Sequence, residues 1–233
     1  MNKKKENKGK ANESTDKLLN RRGLLVKGIA TLGTLGVASL NPARAQSCQL
    51  TPVQPEGPFY PILPQDDTNF DLTKVQGKLR SAKGEVVVLK GIVKDNSCVP
   101  IKGALVEIWQ ACESGKYNHS SDPNEAPLDP NFQYWGRVVT NEKGEYSFKT
   151  IKPGAYPANN TWVRPPHIHL KVSLRGFAEI ITQVYFKENT RLNTEDLILK
   201  RLSASERDNV IIDFKSTEGS VRTGVFDITL NSF

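Results

Sequence analysis

Beyond residue 84 the apolar positions fall in short, evenly spaced runs rather than in helical stripes. Residues 85–93 are dense in β-branched side chains (Val86, Val87, Val88, Ile92, Val93), and residues 104–109 alternate in part between apolar and polar. Both patterns predict strands. Asp95-Asn96-Ser97 lies between them as a turn, so the two are expected to pair. Residues 135–140, the tight turn Asn141-Glu142-Lys143-Gly144 and residues 145–150 predict a strand and its returning partner. Further strands are expected at 167–174, 180–186 and 225–230, with a short helix at 195–202. Strands at this spacing, with so little helix, predict an all-β fold: a β-sandwich of mostly antiparallel strands with long functional loops. The sandwich should occupy residues 85–233, after an extended, proline-rich arm over 46–84. Residues 112–134 form a long irregular connection, and loops of that length in a compact domain usually carry function.

Charge changes the picture only at the N-terminus. The formal net charge is +7, but ten Lys or Arg and three acids fall within residues 1–45, which leaves the remainder balanced. A balanced body has no field for a polyanion, so a nucleic-acid partner is excluded. Arg21-Arg22 precedes a weakly apolar run over 23–40, and Ala43-Arg44-Ala45 has the form of a cleavage site. Residues 1–45 therefore resemble a twin-arginine-type signal peptide. The expectation is an exported protein, periplasmic or secreted, with no membrane attachment after processing. Cys48, Cys98 and Cys112 then suggest one disulfide and one free thiol. Cys98 and Cys112 flank a strand, which is longer than a disulfide can span. Cys48 is the shared candidate partner, and the sequence does not choose between the other two.

The candidate chemistry lies in residues 154–169. His167 and His169 are two apart, so in a strand they share a face and both imidazoles can reach one metal ion. Tyr156 follows the turn at Pro153-Gly154 and can fold back toward them. Taken alone, such a pair is more often a polar surface feature than a metal site, and such a tyrosine is often just packing.

The wider pattern is more specific. GPFYP at 57–61, GALVEIWQA at 103–111, GKYNH at 115–119 and PLDPNF at 127–132 are followed by GRVVTNEKGEYSFKTIKPGAYP at 136–157, RPPHIHLKV at 164–172 and ITQVYF at 181–186. In these stretches the chain resembles the intradiol ring-cleavage dioxygenases, the protocatechuate 3,4-dioxygenase group. The resemblance implies one non-haem Fe(III) held by Tyr117, Tyr156, His167 and His169. Hard phenolate oxygen suits the ferric ion, and imidazole tolerates it. It also implies a catechol-type substrate that displaces Tyr156, reacts with O2 and is cut between its hydroxyl carbons to a cis,cis-muconate-type diacid. Arg164 and Gln183 match residues beside the bound ring, where a fixed cation stabilises developing negative charge. Gly57, Pro58 and Tyr60 match an arm that lines the substrate pocket, and a homo-oligomer is expected. His119 is placed near Tyr117 rather than on the metal, and Tyr134, Tyr146, Tyr185 and the tryptophans are assigned to packing. Two positions depart from the family: Gln54-Pro55-Glu56, where Thr usually precedes Glu, and Ala158, where classical protocatechuate enzymes carry Trp. Two competing readings are a non-catalytic transthyretin-like β-sandwich used for binding, and a two-histidine zinc site.

Overall fold

The computed structural model describes residues 47–62, 65, 67–216 and 220–232. Residues 1–45, with the expected export signal, lie outside the described residues. Two sheets face each other. The first is built on β1 (Val86–Asp95), flanked antiparallel by β4 (Glu145–Ile151) and, along its other edge, parallel by β10 (Arg222–Val225) and then β11 (Ile228–Leu230). The second has the order β3 (Trp135–Val139), β2 (Leu105–Trp109), β7 (His167–Ser173), β8 (Ile180–Phe186), β9 (Ile211–Ile212). A small pair, β5 (Tyr156–Asn159) with β6 (Trp162–Arg164), stands apart.

Val87, Leu89 and Phe148 from the first sheet meet Val106, Ile108, Ile168, Leu170, Val172 and Val184 from the second, all of them fully buried. Burial of such side chains contributes about 1.5–3 kcal/mol each. In β7 the alternation sends Ile168, Leu170 and Val172 into this core and turns His167 and His169 to the other face. The histidines are nonetheless 2% and 3% exposed, because that face is covered by other segments.

The expected pairings need correction. β1 and β2 do not pair, and β3 and β4 do not form a hairpin: in both cases the connection crosses from one sheet to the other. Each strand has an apolar inward face in either arrangement, so periodicity does not distinguish them. The expected helix at 195–202 is resolved into α1 (Thr190–Glu195), a 3-10 turn (Leu199–Arg201) and α2 (Ala204–Val210). Asp196 ends α1, and its Oδ1 accepts from the backbone N–H groups of Ile198 and Leu199. Ser203 and Glu206 cap α2 reciprocally.

The arm before β1 is tied down along its length. Cys48 is bridged to Cys98 in the turn after β1, and Cys112 is a buried free thiol. Thr51 N–H donates to Thr229 O, while Thr51 Oγ1 accepts from Thr229 N–H. Gln54 N–H donates to Ile181 O on β8.

Candidate metal centre

Two glycines mount the two tyrosines. Gly115 has φ +82°, and a Cβ there would lie 2.5 Å from Ala155 O; a Cβ on Gly154 would lie 2.3 Å from Glu113 O and 2.6 Å from Gly115 N. The two segments thus pack backbone to backbone, joined by Gly154 N–H to Cys112 O at 3.0 Å. Tyr117 and Tyr156, each two residues beyond its glycine, are thereby set with ring centroids 5.5 Å apart, edge to face.

The histidines meet them from β7. Tyr117 Oη lies 3.3 Å from His167 Nε2, which lies 3.2 Å from His169 Nε2. Tyr156 packs on His167 with centroids 5.8 Å apart. His167 Nδ1 donates to Pro165 O at 2.6 Å, which leaves its Nε2 lone pair facing the site. Trp109, opposite His169 in the β2–β7 register, stacks on that ring at 4.7 Å and 13°.

The electrostatics suit a bound cation. Burial, and next Arg164, hold both imidazoles well below the usual histidine range, so they stay neutral and able to ligate. Burial pushes the Tyr117 phenol well above 10, with Tyr156 adding to the effect, and burial also raises Tyr156. A strong cation is needed to ionise such phenols. The spacing fits as well: two donors about 2.0–2.1 Å from one ion stand about 2.9–3.4 Å apart at angles of about 90–110°. The 3.2 and 3.3 Å separations fall in that interval. Among the described residues no three His, Cys, Asp or Glu side chains converge as a ligand set. The convergent donors are two phenols and two imidazoles, a set in which hard oxygen favours a ferric ion.

Arg164 faces Tyr156 across the β5–β6 pair. Its Nε donates to Asp196 Oδ2 at 2.9 Å, and its Nη2 donates to Gln183 Oε1 at 2.7 Å and Tyr185 Oη at 3.2 Å. Arg164 and Asp196 are 5% and 0% exposed, so this is a buried ion pair.

Comparison with known proteins decides what this arrangement belongs to. The family model described as Dioxygenase matches residues 56–232. Over 182 residues the chain is 38% identical to the protocatechuate 3,4-dioxygenase beta chain of Burkholderia cepacia, covering 74% of this chain and 77% of that one. The chain belongs to the intradiol ring-cleavage dioxygenases. The solved intradiol ring-cleavage dioxygenase of Tetranychus urticae is similar in shape, with TM-score 0.61 and 27% identity over 79% of this chain and 95% of that one. Other relatives are longer: the chain spans 48% of the hydroxyquinol 1,2-dioxygenase of Rhizobium sp. (strain MTP-10005), at 27% identity over 153 residues.

Within this intradiol dioxygenase the structure brings Tyr117, Tyr156, His167, His169, Arg164 and Gln183 into one cluster. Gly57, at φ +76°, comes so close that a Cβ would sit 3.6 Å from His169 Cε1. Tyr60 is placed one ring further out, edge-on to Trp109 with its hydroxyl donating to Glu107; Pro58 lies between Gly57 and Phe59 on the same arm. The arm residue against the donors is Phe59, 4.7 Å from the Tyr117 ring and 6.2 Å from Tyr156. Its place inside GPFYP was the available signal. His119 stays out in the loop, where its Nδ1 accepts from Ser121 N–H. A cleft of about 370 Å³ opens beside Tyr117, lined by Pro61, Ile62, Lys116, His119 and Leu128 among others.

Trp109 and Tyr185 are packed as expected, 1% and 0% exposed within apolar clusters, and each has a further contact: Trp109 stacks on His169, and the Tyr185 hydroxyl joins the polar network of Arg164. Asp196 was missed; it lies 32 residues beyond Arg164, and no local pattern marks it.

Proposed function

We propose that this intradiol dioxygenase holds one non-haem Fe(III) with Tyr117, Tyr156, His167 and His169, and cleaves a catechol-type ring with O2 between its two hydroxyl carbons. The product is a cis,cis-muconate-type diacid. The observation that carries this reading is the convergence of Tyr117 Oη, His167 Nε2 and His169 Nε2 at 3.2–3.3 Å in a buried site. When bound, the ferric ion supplies the Lewis acidity that keeps phenol and catechol oxygens ionised.

The chain's own residues supply the rest. Tyr156, at 7% the most exposed of the four donors, would be the one to give way to the substrate, and its Oη would take one catechol proton. Arg164 presents a fixed cation where negative charge develops on the ring, and Asp196 keeps it from turning. Trp109 and Pro165 O hold the two imidazoles in place. Phe59 and Gly57 cover the donors and exclude water, which strengthens each charge interaction beneath them.

We also propose that the protein acts outside the cytoplasm. The Cys48–Cys98 bridge, Arg21-Arg22 and Ala43-Arg44-Ala45 support export. The proposed assembly is a homo-oligomer, open to sedimentation measurement.

Expression without residues 1–45, followed by metal analysis and a visible spectrum, tests the centre. About one iron per chain and a red-brown colour that shifts on adding catechol are expected. A folded protein still colourless after anaerobic iron loading and air oxidation overturns the reading. The Tyr156→Phe variant then separates an enzyme, whose activity falls sharply, from a binding module, which would not change.

A further inference from the structure

The polar network around Arg164 does not end within the sandwich. Gln54, on the N-terminal arm, is 3% exposed and makes three side-chain hydrogen bonds. Its Nε2 donates to Thr182 Oγ1 at 3.0 Å and to Gln183 O at 2.8 Å. Thr182 Oγ1 in turn donates to Pro52 O, so toward Gln54 it acts as an acceptor. Two acceptors at one end fix the direction of the amide, and its Oε1 must face Tyr185 Oη, 3.0 Å away. Gln183 is fixed in the same way. Its Nε2 donates to Pro55 O on the arm at 2.7 Å, which turns its Oε1 toward Arg164 and Tyr185.

Tyr185 has one hydroxyl proton and two carbonyl oxygens within 3.0 Å, those of Gln54 and Gln183. With the proton on Gln54, Gln183 Oε1 is left for the Arg164 guanidinium, and the Tyr185 lone pair faces Nη2. Without Gln54 the same proton turns onto Gln183 Oε1, whose two lone pairs then serve both Tyr185 and Arg164, and the Tyr185 lone pair that faced Nη2 changes direction. An unsatisfied member of a buried network disturbs its neighbours more than its own bond is worth.

We propose that Gln54 is a positioning residue for Arg164: it sets the Tyr185 hydroxyl and, through Tyr185 and Gln183, holds the guanidinium beside Tyr156. The activity expected of Arg164 rests on the function proposed above; the positioning itself does not. Gln54 then acts on Arg164 rather than only anchoring the arm.

The test compares Gln54→Met, which keeps volume without polar atoms, with Tyr185→Phe, the double variant and Thr51→Val. Thr51→Val loosens the arm at its Thr229 contact without touching the network. In metal-free protein, the Arg164 Nε–H signal is followed by nitrogen-15 NMR. Gln54→Met and Tyr185→Phe should each shift it and speed its exchange about tenfold, with the double variant no worse than the stronger single one. In iron-loaded protein with catechol, kcat should fall about tenfold in Gln54→Met with KM within about twofold. Thr51→Val should leave the signal and kcat as they are. An Arg164 signal unchanged by Gln54→Met, or equally changed by Thr51→Val, overturns the proposal whatever happens to activity. A wild-type protein that takes no iron or cleaves no catechol defeats the functional reading instead, and the NMR comparison still decides the positioning.

Discussion

Removing the Cys48–Cys98 bridge gives a loss of stability that the structure lets one calculate. The two cysteines are 50 residues apart in sequence, with Cα atoms 5.2 Å apart. Closing a loop of that length in the unfolded chain removes entropy worth about 4 kcal/mol at 25 °C in the chain-entropy relation. The folded arm keeps its other ties, at Thr51 and Gln54, so the native state should change little and the loss should appear almost in full. The perturbation is the double variant Cys48→Ser, Cys98→Ser, which avoids reductant. The assay is urea unfolding followed by tryptophan fluorescence. At an m-value of about 2 kcal/mol/M the midpoint should fall by about 2 M. The melting temperature should fall by about 8–16 °C for a domain of this size. A loss below about 1 kcal/mol at an unchanged m-value would refute the reasoning: the unfolded chain would then already keep these ends together without the bridge.

Further outcomes follow from the same structure. Cys112 is 1% exposed, so a thiol reagent should label one thiol per chain only after unfolding. Asp196→Asn leaves the buried Arg164 charge without its partner and should cost about 3–5 kcal/mol in urea unfolding, with activity falling as well. Gly154→Ala drives a Cβ into Glu113 O and Gly115 N; a loss of about 3 kcal/mol and much weaker iron retention on dialysis against chelator are expected.

Strand existence was legible in the sequence because β1, β2, β7 and β8 bury β-branched runs. Sheet membership was not. The crossings at 96–104 and 140–144 look like ordinary hairpin turns, and either pairing buries the same apolar faces. The β5–β6 pair was hidden in Pro157, Ala158, Asn159 and Asn160, residues that favour loops. The single strand expected at 225–230 is interrupted by Phe226, whose carbonyl would lie 1.9 Å from a Cβ on Gly91. At the site, family spacing marked Tyr117, Tyr156, His167 and His169, since their order along the chain is itself the signal. Asp196, Tyr185 and Gln54 act through contacts between distant segments, and nothing local to each residue encodes its partner.

The backbone contact between Gly115 and Gly154 has a consequence for motion. The segments that carry the two phenols lie against each other with no room for even a methyl group. Neither can slide or lift without the other, so Tyr117 and Tyr156 share one rigid mount. If Tyr156 gives way to an incoming ligand, the movement is confined to rotation about its own Cα–Cβ and Cβ–Cγ bonds. Such a turn needs no loop to be rebuilt, and it leaves the Tyr117 segment where it is.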